Sequence, residues 1–450
     1  MKLKTNSKKI KPGDVFIALR GQKRDGHNYI EEAIKNGARK VIVEEGVYNV
    51  ETTYVSNTKK YLEEYLKEHY LNKISNLKLI GVTGTNGKTT TSYLIYQMLN
   101  KLKVSCAYIG TIGFYLKDQI EELDNTTPEI LELYNLLKRC SEEKIEYVVM
   151  EASSQALDLD RLFGLKFDYT IFTNLSIEHL DYHLTMKNYL KSKQKLFKML
   201  KEEGIGIVNN DDQYNKEMKL HPYILTYGFK KSDYQLINYQ IDQFKTTFSF
   251  SYNKKKYLVE STIRGSYNIY NLLSMLIVLN KIGYSLEKLV LKVPFLKAPP
   301  GRMDIVNYKD NLIIVDYAHT PDAVFNILNT IKEFAKGKIY SIIGCGGDRD
   351  KSKRNKMTFY ATTLSDLVLL TSDNPRTESI DDIIKDMLVD IIKTNYKVIT
   401  SRQEAIKYGI KLLKNNDILA ILGKGHESEQ IIGCKKMYHN DKEYVLKLCK

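Results

Sequence analysis

The stretch "GVTGTNGKTT", residues 81–90, decides the fold of the central part of this chain, because it follows the apolar run "LKLI" without a break. A buried strand that passes through a glycine-rich loop into a helix aims backbone N–H groups and the positive end of the helix dipole at one point. Gly84 and Gly87 let the backbone approach phosphate oxygens, and Lys88 adds a mobile positive charge. Val82 occupies the first glycine position of the strict nucleotide-binding pattern, so the loop predicts phosphate binding outside the ordinary NTPase subclass.

A metal site is predicted beside this loop. Thr89 offers a hydroxyl to Mg²⁺, Glu151 ends the strand candidate "YVVME", and His179 follows the strand candidate "YTIFTNLS". Because the carboxyl ends of parallel strands share one edge, these groups should lie near the nucleotide phosphates. His179 and His183 have the spacing of a zinc-protease helix, but Leu180 stands where that chemistry requires Glu. The pattern favours a magnesium shell and a structural role for His183.

Length and composition favour two or three folded domains of a cytoplasmic enzyme. The 450 residues exceed a typical single core, and 43% hydrophobic with 27% charged residues is ordinary for a globular protein. The net charge of +14 comes from lysines spread along the chain, so we expect solvated surface and neither a nucleic-acid nor a membrane partner. Five cysteines without a CxxC pair, and an N-terminal segment without a signal-peptide core, predict a reducing cytoplasm.

The hydrophobic pattern predicts three α/β domains. In residues 1–75, short apolar runs flank a helical stretch, which indicates a small α/β unit. In residues 76–298, strands alternate with helices and predict a parallel sheet, followed by a tyrosine-rich alternating part that predicts antiparallel strands. The proline-rich segment "VPFLKAPPGRMDIV" is typical of a linker, and a third domain is predicted over residues 299–450.

The third domain repeats one arrangement four times, in which an apolar strand runs into a polar turn. The four segments are "NLIIVDYAHTPD", "IYSIIGCGGDRD", "LVLLTSDNPR" and "DILAILGKGHE". Ligands of open parallel sheets bind beyond the carboxyl ends of the strands, so we expect these four turns to line one crevice.

The chain resembles the Mur ligases, the ATP-dependent amide-bond ligases of peptidoglycan precursor synthesis. The resemblance covers nearly the whole length and rests on motifs in family order, namely "TGTNGKTT", "NTTPE", "VMEASS", "FTNLSIEHLDYH", "SKQKLF", "RGSYNIYN", "GRMD", "VDYAHTPDAV", "GCGGDRDKSKR", "TSDNPRTE" and "GKGHE". It implies a UDP-sugar-binding N-terminal domain, a P-loop ATPase-like central domain and a Rossmann-like C-terminal domain. Such an enzyme serves cell-wall biogenesis, and with it cell shape and division, and is expected to be a monomer.

Within the family the chain looks most like the member that adds the third residue of the peptide. The resemblance implies that ATP phosphorylates the terminal carboxylate of UDP-N-acetylmuramoyl-L-alanyl-D-glutamate. The amine of meso-2,6-diaminopimelate then attacks the acyl phosphate and phosphate leaves. Such a transfer needs charge neutralisation more than covalent help, which fits a lysine and two Mg²⁺ ions around one crevice.

The resemblance assigns the following residues to ATP, metal and catalysis. ATP contacts are implied for Gly84, Thr85, Asn86, Gly87, Lys88, Thr89, Thr90, Asn271, Arg302 and Asp316. Metal ligands are implied for Thr89, Glu151, His179 and Lys193, and the last of these matches the lysine that is carbamylated to N6-carboxylysine in the family. Catalytic roles are implied for Lys88, Glu151, His179 and Lys193.

Two further groups of residues are implied for the other substrates. Contacts to the UDP-linked dipeptide are implied for Ser7, Asn125, Thr126, Thr127, Ser153 and Arg161. Contacts to diaminopimelate are implied for Arg349, Asp373, Asn374, Pro375, Arg376, Gly423 and Glu427. The "DNPR" signature agrees with the chemistry, because Arg376 can fork onto a distal carboxylate that lysine lacks. The chain departs from well-known members at Leu159 and in "QKR" at 22–24.

Three alternatives stay open at this point. The first is the same ligase with L-lysine or another diamino acid, and the second is a sister ligase of the folylpolyglutamate synthetase kind. "NTTPE", "DNPR" and "GKGHE" together argue against the second. The third is a basic nucleic-acid-binding ATPase, which would need lysines clustered with stacking aromatic residues, and no such cluster stands out in the sequence.

Overall fold

The structure is a computed structural model that describes residues 2–21, 25–433 and 435–449. Its internal contacts divide the chain into two compact units. Unit 1 comprises Met1–Gln235 and Leu273–Gly283, and unit 2 comprises Leu236–Leu272 and Tyr284–Lys450. The "QKR" segment at 22–24 and Cys434 lie outside the described residues.

Unit 1 begins with a small parallel sheet in the order β1-β2-β3-β4. Its strands are β1 (Leu3–Lys4), β2 (Val15–Ile17), β3 (Lys40–Val43) and β4 (Glu51–Tyr54), and its helices are α1 (Ile30–Lys35), α2 (Thr58–Leu66) and α3 (Asn72–Ile74). Phe16 of β2 and Val41 of β3 pack with Ile30 and Ala33 of α1 into one core. This small core covers one face of the sheet.

The larger sheet of unit 1 has a parallel centre and an antiparallel edge, in the order β12-β11-β10-β5-β9-β6-β7-β8. Its strands are β5 (Lys78–Thr83), β6 (Cys106–Gly110), β7 (Gly113–Leu116), β8 (Gln119–Glu121), β9 (Tyr147–Glu151), β10 (Phe167–Phe172), β11 (Leu200–Asn209) and β12 (Ile224–Gly228). Its helices are α4 (Lys88–Lys101), α5 (Ile130–Glu142), α6 (Ser154–Asp158), α7 (Leu180–His183) and α8 (Met186–Lys198). Strand β5 lies between β9 and β10, both parallel to it.

This central position explains the apolar run before the phosphate loop. Every residue of β5 after Lys78 is buried, because helices cover both faces of a parallel sheet. The ends of β5, β9 and β10 share one edge, and Glu151 lies at the end of β9. The fold thereby places the loop and this carboxylate side by side.

Unit 2 contains a hairpin, a six-stranded sheet and a terminal hairpin. Strand β13 (Tyr234–Ile241) begins in unit 1, where Tyr234 pairs in parallel with Tyr227 of β12, and continues into unit 2. Strands β14 (Thr246–Tyr252) and β15 (Lys255–Ser261) pair antiparallel. Helix α9 (Ser266–Ile282) has its first part in unit 2, and α10 (Leu286–Val290) follows. The tyrosine-rich stretch thus contains antiparallel strands as predicted, preceded by two parallel ones.

The six-stranded sheet of unit 2 has the order β16-β17-β21-β18-β19-β20. Its strands are β16 (Asp304–Tyr308), β17 (Asn311–Asp316), β18 (Ile339–Ile343), β19 (Leu367–Leu370), β20 (Tyr396–Val398) and β21 (Ile418–Leu422). Helices α11 (Pro321–Lys332), α12 (Arg354–Leu364), α13 (Ile380–Leu388), α14 (Arg402–Leu412) and α15 (Asp441–Leu448) accompany it, with the hairpin β22 (Glu429–Ile432) and β23 (Lys435–Tyr438). All pairings except β16–β17 are parallel.

Strands β17, β21, β18 and β19 are consecutive neighbours in this sheet, and they are the four strands that precede the repeated polar turns. The turns therefore emerge from one edge, where the order of strands departs from their order in the chain. The predicted α/β fold with parallel sheets is confirmed, whereas the predicted domain boundaries at 75/76 and 298/299 stay a prediction. Within the described residues, no helix is both long enough and apolar enough to cross a bilayer.

Candidate active site

The loop between β5 and α4 has the backbone geometry that a phosphate site requires. Gly84 has φ +152° and Gly87 has φ +86°, both in the region that favours glycine. A Cβ atom on Gly84 would lie 1.9 Å from Thr173 Oγ1, so no larger residue fits there. Lys88 begins helix α4, and its Nζ donates to the carbonyl oxygens of Gly84 at 2.9 Å and Thr85 at 2.8 Å. The lysine charge is thus held over the loop.

Neighbouring residues hold the middle of this loop in place. The Thr85 amide donates to Asn174 O at 2.8 Å, and the Asn86 amide donates to Asn174 Oδ1 at 2.9 Å. Thr85 Oγ1 lies 3.1 Å from Tyr189 Oη. Thr90 is buried in the first turn of α4. The loop is therefore anchored on the segment that follows β10 and on helix α8.

Glu151 is fully buried and accepts four hydrogen bonds. Its Oε2 accepts from Thr89 Oγ1 at 2.9 Å and from Thr111 Oγ1 at 3.1 Å, and its Oε1 accepts from the Thr111 amide at 2.9 Å and from Tyr108 Oη. A Cβ atom on Gly110 would lie 2.3 Å from Oε1, so the backbone there approaches the carboxylate closely. Burial, followed by the Glu151 charge, raises the pKa of Tyr108 well above its usual value. The carboxylate is thus preorganised next to the loop hydroxyl.

Lys193 is buried at 1% exposure, although it lies in the lysine-rich helix α8. Its Nζ donates to Gly84 O at 2.7 Å and stands 4.4 Å from the centre of the Tyr189 ring. Burial, with a smaller contribution from the Lys88 charge, lowers the pKa of this amine well below its usual value. Sequence reasoning placed Lys193 here by resemblance, and the structure brings it to the phosphate loop.

His179 lies at the same edge in a left-handed backbone conformation with φ +56°. Burial lowers the pKa of its imidazole, and the charges of Lys88 and Lys193 lower it further against the opposing Glu178 carboxylate. A neutral imidazole is the form that binds a metal ion. His183 is buried instead, with Nε2 2.9 Å from Ser154 Oγ, so it has the structural surroundings expected from the sequence.

The donor set at this edge fits Mg²⁺. Mg²⁺ prefers hard oxygen ligands, and Thr89 Oγ1 and the Glu151 carboxylate supply such atoms 2.9 Å apart. A carboxylate has about four lone-pair positions, and all four are used by the donors described above. Direct coordination therefore requires one donor to turn away, and Thr89 is the one whose own hydroxyl can join the metal. Among the described residues no three His, Cys, Asp or Glu side chains converge.

The residues implied for the UDP-linked dipeptide lie next to Glu151. Thr127 Oγ1 donates to the Glu151 carbonyl at 2.7 Å, accepts from the Ser153 amide at 3.1 Å and lies 3.3 Å from Ser153 Oγ. Thr126 Oγ1 lies 3.0 Å from Thr111 Oγ1, and Arg161 donates to Thr127 O at 2.9 Å. The structure thus brings together a row of hydroxyls and one guanidinium beside the carboxylate.

In the part of the chain that the structure describes, Asn125 and Ser7, the two other residues implied for this substrate, form no hydrogen bond with the row. Asn125 is partly exposed and precedes the row. Ser7 is buried and its hydroxyl donates to Glu32, so it is not part of the row itself. Two residues further on, Lys9 Nζ forms ion pairs with Asp124 at 2.6 Å and Glu132 at 3.1 Å. The N-terminal segment is thereby tied to the segment that carries Asn125.

In unit 2, Asp316 at the end of β17 is buried and accepts from the amides of Met303 at 2.7 Å and Ala318 at 2.8 Å. Burial raises the pKa of this carboxyl group, and the Arg302 charge opposes the shift. The Arg302 guanidinium stacks over the Tyr317 ring at 4.7 Å. Both groups proposed for the nucleotide therefore lie at one end of β17. Asn271 is buried in α9 and donates to Asn268 Oδ1 at 2.9 Å.

The four polar turns of unit 2 meet, as expected from the sequence. A Cβ atom on Gly423, which has φ +114°, would lie 2.8 Å from Asp373 Oδ2, so the turn after β21 packs on the turn after β19. Asn374 Nδ2, after β19, donates to Glu427 Oε2, after β21, at 3.2 Å, so a hydrogen bond joins the same two turns. Lys424 is fully buried between these two side chains. We call Arg349, Asp373, Asn374, Arg376, Lys424 and Glu427 the amino-acid pocket.

Arg376 and Arg349 supply positive charge to the amino-acid pocket. Arg376 has φ +52°, and its Nη1 donates to Gly347 O at 2.7 Å. A Cβ atom on Gly347 would lie 1.8 Å from Pro375 O, so the two turns are in tight contact. Both side chains lie close to Gly346: a Cβ atom added there would be 3.0 Å from Arg376 Nη1 and 3.7 Å from Arg349 Cγ. Arg349 is exposed, which leaves its charge accessible.

A buried arginine supports the turn after β18. Arg354 donates to Gly346 O at 3.0 Å, to Glu378 at 2.9 and 3.0 Å and to Asp386 at 2.7 Å. The Arg354 guanidinium is the main reason why the pKa of Glu378 falls to about 2. The ion pairs fix the turn that carries Gly346 and Gly347.

Sequence reasoning missed several groups that shape these sites. Lys424 and Tyr317 lie inside motifs that carried the resemblance, so their position next to assigned residues was the available signal. Burial, followed by the Glu427 charge, raises the pKa of Tyr317, whose hydroxyl faces that carboxylate. Tyr108 and Thr111 hold Glu151, but neither strand "CAYIG" nor the turn after it carries a pattern that would reveal this.

The fold and the two sites define a class of enzyme that has a phosphate-binding loop in one α/β unit and a cluster of charged side chains at the strand ends of another. Family comparisons agree over almost the whole chain: "Mur ligase family, catalytic domain" matches residues 2–80, "Mur ligase middle domain" matches 82–279, and "Mur ligase, glutamate ligase domain" matches 301–425. The chain belongs to the Mur ligase family.

Individual relatives point in the same direction. The UDP-N-acetylmuramoyl-L-alanyl-D-glutamate–2,6-diaminopimelate ligase of Fusobacterium nucleatum is 41% identical over 97% of this chain and 91% of its own length. The ligase of the same name from Clostridium botulinum is 39% identical over 100% of this chain and 95% of its own. A solved structure of a ligase of that name superimposes with a TM-score of 0.70 at 33% identity and covers 100% of this chain and 94% of the other.

Proposed function

We propose that the protein joins meso-2,6-diaminopimelate to UDP-N-acetylmuramoyl-L-alanyl-D-glutamate, with ATP cleaved to ADP and phosphate. The observation that carries this proposal is the amino-acid pocket, which gathers two arginines and two carboxylates in the turns at the ends of neighbouring parallel strands. Diaminopimelate has two ammonium and two carboxylate groups, so a pocket with both signs of charge suits it. Relatives of that activity over nearly the full chain support the same substrate.

The residues of unit 1 are suited to activating a carboxylate with ATP. The loop amides and the start of α4 bind the phosphates, and Lys88 neutralises charge that develops on the transferred phosphoryl group. Thr89, Glu151, His179 and Lys193 are the residues that would hold two Mg²⁺ ions, which supply further positive charge to the phosphates when bound. The row of hydroxyls at Thr126, Thr127 and Ser153 with Arg161 would orient the UDP-linked dipeptide next to that phosphate.

Unit 2 is suited to delivering the nucleophile. Asp316 and Arg302 would hold the ribose and phosphate parts of ATP, and Asn271 the adenine. In the amino-acid pocket, Glu427 would receive the distal ammonium and Arg376 the distal carboxylate. The neutral amine of the amino acid attacks the carbonyl carbon of the acyl phosphate and forms the C–N bond. The nitrogen then loses one proton, the C=O bond re-forms from the tetrahedral intermediate, and the C–O bond breaks so that phosphate leaves with its electrons.

We further propose that Lys193 is carbamylated. Its burial next to Lys88 favours the neutral amine, which adds to CO₂ to form a carbamate with release of one proton. The carbamate nitrogen would keep one N–H for Gly84 O, and the new carboxylate would add a negative group next to the metal positions. Protein equilibrated with ¹³C-bicarbonate should show a protein-bound carbamate resonance by NMR that the variant Lys193→Arg lacks. Identical spectra of the two proteins would refute the modification.

The proposed function is tested by ADP release and product mass. Purified protein receives ATP, Mg²⁺ and the UDP-linked dipeptide with either meso-diaminopimelate or L-lysine. We expect ADP and a tripeptide product with diaminopimelate and little turnover with lysine. Turnover with lysine alone would overturn the assignment of Arg376, and turnover with neither would refute the proposed ligase. ATP and UDP-linked precursors are cytoplasmic metabolites, so the same proposal includes a cytoplasmic location. We also propose that the enzyme is a monomer and that it needs neither nucleic acid nor a membrane.

A further inference from the structure

Lys424 is the buried cation of the amino-acid pocket, and none of the roles proposed above uses it. Its side chain has 0% exposure, and burying an ammonium is costly unless acceptors compensate it. Three groups do so: Asn374 Oδ1 at 3.1 Å, Glu427 Oε2 at 3.1 Å and Asp373 Oδ1 at 3.9 Å. All three acceptors belong to the residues proposed for the amino acid.

The contacts of Asn374 fix the direction of its side-chain amide. The Ile431 amide donates to Asn374 Oδ1 at 2.9 Å, and Lys424 Nζ reaches the same atom. Both partners can only donate, so the atom between them is the amide oxygen and the NH₂ group points the other way. One of its hydrogens goes to Glu427 Oε2 at 3.2 Å. A ligand that pairs with this amide must therefore offer an acceptor, such as a carboxylate oxygen.

Lys424, Asn374 and Glu427 thus form a closed triangle in which each side chain contacts the other two. Lys424 also balances charge, since Asp373 and Glu427 without it would be two carboxylates around one buried point. With it, the three charged groups sum to a single negative charge, which matches one ammonium group of a ligand. Of the nearby cations, Arg402 is paired with Asp441, whereas Arg376 donates only to neutral oxygens such as Gly347 O and keeps the positive charge that is assigned to a ligand carboxylate.

We propose that Lys424 is a positioning residue for the amino-acid substrate: its ammonium holds the Asn374 amide and the Glu427 carboxylate in the arrangement that receives a carboxylate and an ammonium from the same amino acid. This role rests on the proposed function, because it describes how the pocket is arranged to bind the amino-acid substrate. Lys424 needs no contact with the substrate itself. Its loss should weaken amino-acid binding and leave ATP and the UDP-linked substrate unaffected.

The test is a steady-state comparison of wild type, Lys424→Met and the control Lys436→Met. Lys436 is exposed and pairs with Glu429 at 2.9 Å, so its loss should change nothing. Hydrogen bonds to charged groups support a rise in KM for diaminopimelate of roughly 10- to 100-fold in Lys424→Met. The KM values for ATP and the UDP-linked dipeptide should stay within about twofold. An unchanged amino-acid KM, or an equal rise in all three KM values, would overturn the proposal.

A double-substitution cycle separates positioning from a general structural effect. Because Lys424 acts through both Asn374 and Glu427, the KM penalty of Lys424→Met should be clearly smaller in the background Asn374→Ala than in wild type, with the part that acts through Glu427 remaining. Fully additive penalties would show that Lys424 acts independently and would overturn the role. The failure of the proposed function is distinguishable, because wild type would then show no amino-acid-dependent ADP release at all. A thermal unfolding curve for each variant verifies that it is folded. If Lys424→Met has a much lower melting temperature than wild type, Lys424→Gln takes its place.

Discussion

The substitution Arg376→Met removes the guanidinium that we assign to the distal carboxylate of diaminopimelate. In the structure, Nη1 is engaged by Gly347 O at 2.7 Å and lies 3.4 Å from Asn374 O, so the opposite edge, Nε and Nη2, is the pair of donors for the substrate. Methionine retains much of the aliphatic stem and loses both donors. L-Lysine has no distal carboxylate, so its binding should not depend on this edge.

The magnitude follows from the two lost hydrogen bonds. Arg376 is partly exposed, so each charge-assisted bond is taken at the low end of the usual range, about 1.5 kcal/mol. Two of them amount to about 3 kcal/mol, or roughly a 100-fold loss in kcat/KM for diaminopimelate at about 1.4 kcal/mol per decade. Arg376→Lys retains charge without the fork and should fall between wild type and Arg376→Met.

The assay is ADP release with diaminopimelate and with L-lysine, run in parallel on wild type, both Arg376 variants and the control Lys385→Met. Lys385 is an exposed residue of α13 that pairs with Asp382. We expect the preference for diaminopimelate over lysine to fall by about two decades in Arg376→Met, by less in Arg376→Lys, and not at all in Lys385→Met. A loss of equal size for both amino acids would refute the reasoning, because Arg376 would then support the turn rather than read the substrate.

Three further outcomes are expected. Lys88→Met should lower kcat by roughly 100-fold or more with little change in thermal stability, since its charge acts on the transferred phosphoryl group, and a normal kcat would contradict that role. Gly84→Ala should destabilise the protein and abolish ATP cleavage, because its Cβ would lie 1.9 Å from Thr173 Oγ1, and an unchanged melting temperature would contradict the loop geometry. The pKa of Glu378 is about 2 in the folded protein against an ordinary 4.5, so its stabilising ion pair with Arg354 is complete above about pH 4.5 and is lost as the pH falls towards 2. Over that pH range the melting temperature of Glu378→Gln should fall less steeply than that of wild type. Parallel melting-temperature curves for the two proteins would contradict the ion pair.

The α/β architecture could be predicted because its strands are nearly continuous apolar runs that end in polar turns. The run before residue 81 and the "NLIIVD" run predict buried parallel strands, and β5 and β17 are such strands. The expectation that four turns meet also follows from sequence, because parallel strands deliver their carboxyl ends to one edge. The parallel pairing of β12 with β13 was not predictable, since alternation specifies a strand but not the direction of its partner.

Site residues could be predicted from the sequence where they belong to a recognisable motif. They could not be predicted where their role depends on whether the side chain is buried. Lys193 illustrates the difference: nothing in its lysine-rich helix distinguishes it from Lys191 or Lys195 except the resemblance, yet it is the one with 1% exposure. The same holds for Lys424: its sequence neighbours do not indicate burial, and only the tertiary structure shows that its side chain is fully buried. Tyr108 reaches Glu151 from a neighbouring strand, a contact that depends on register between β6 and β9.

The central claim is that the γ-phosphate of ATP activates the carboxylate of the UDP-linked dipeptide. The most direct test uses that substrate with ¹⁸O in its terminal carboxylate, with ATP and diaminopimelate, and analyses the released phosphate by mass spectrometry. An acyl phosphate route transfers one ¹⁸O atom from the carboxylate to each inorganic phosphate as the amide forms. Phosphate that contains no ¹⁸O in the presence of amide product would contradict the account.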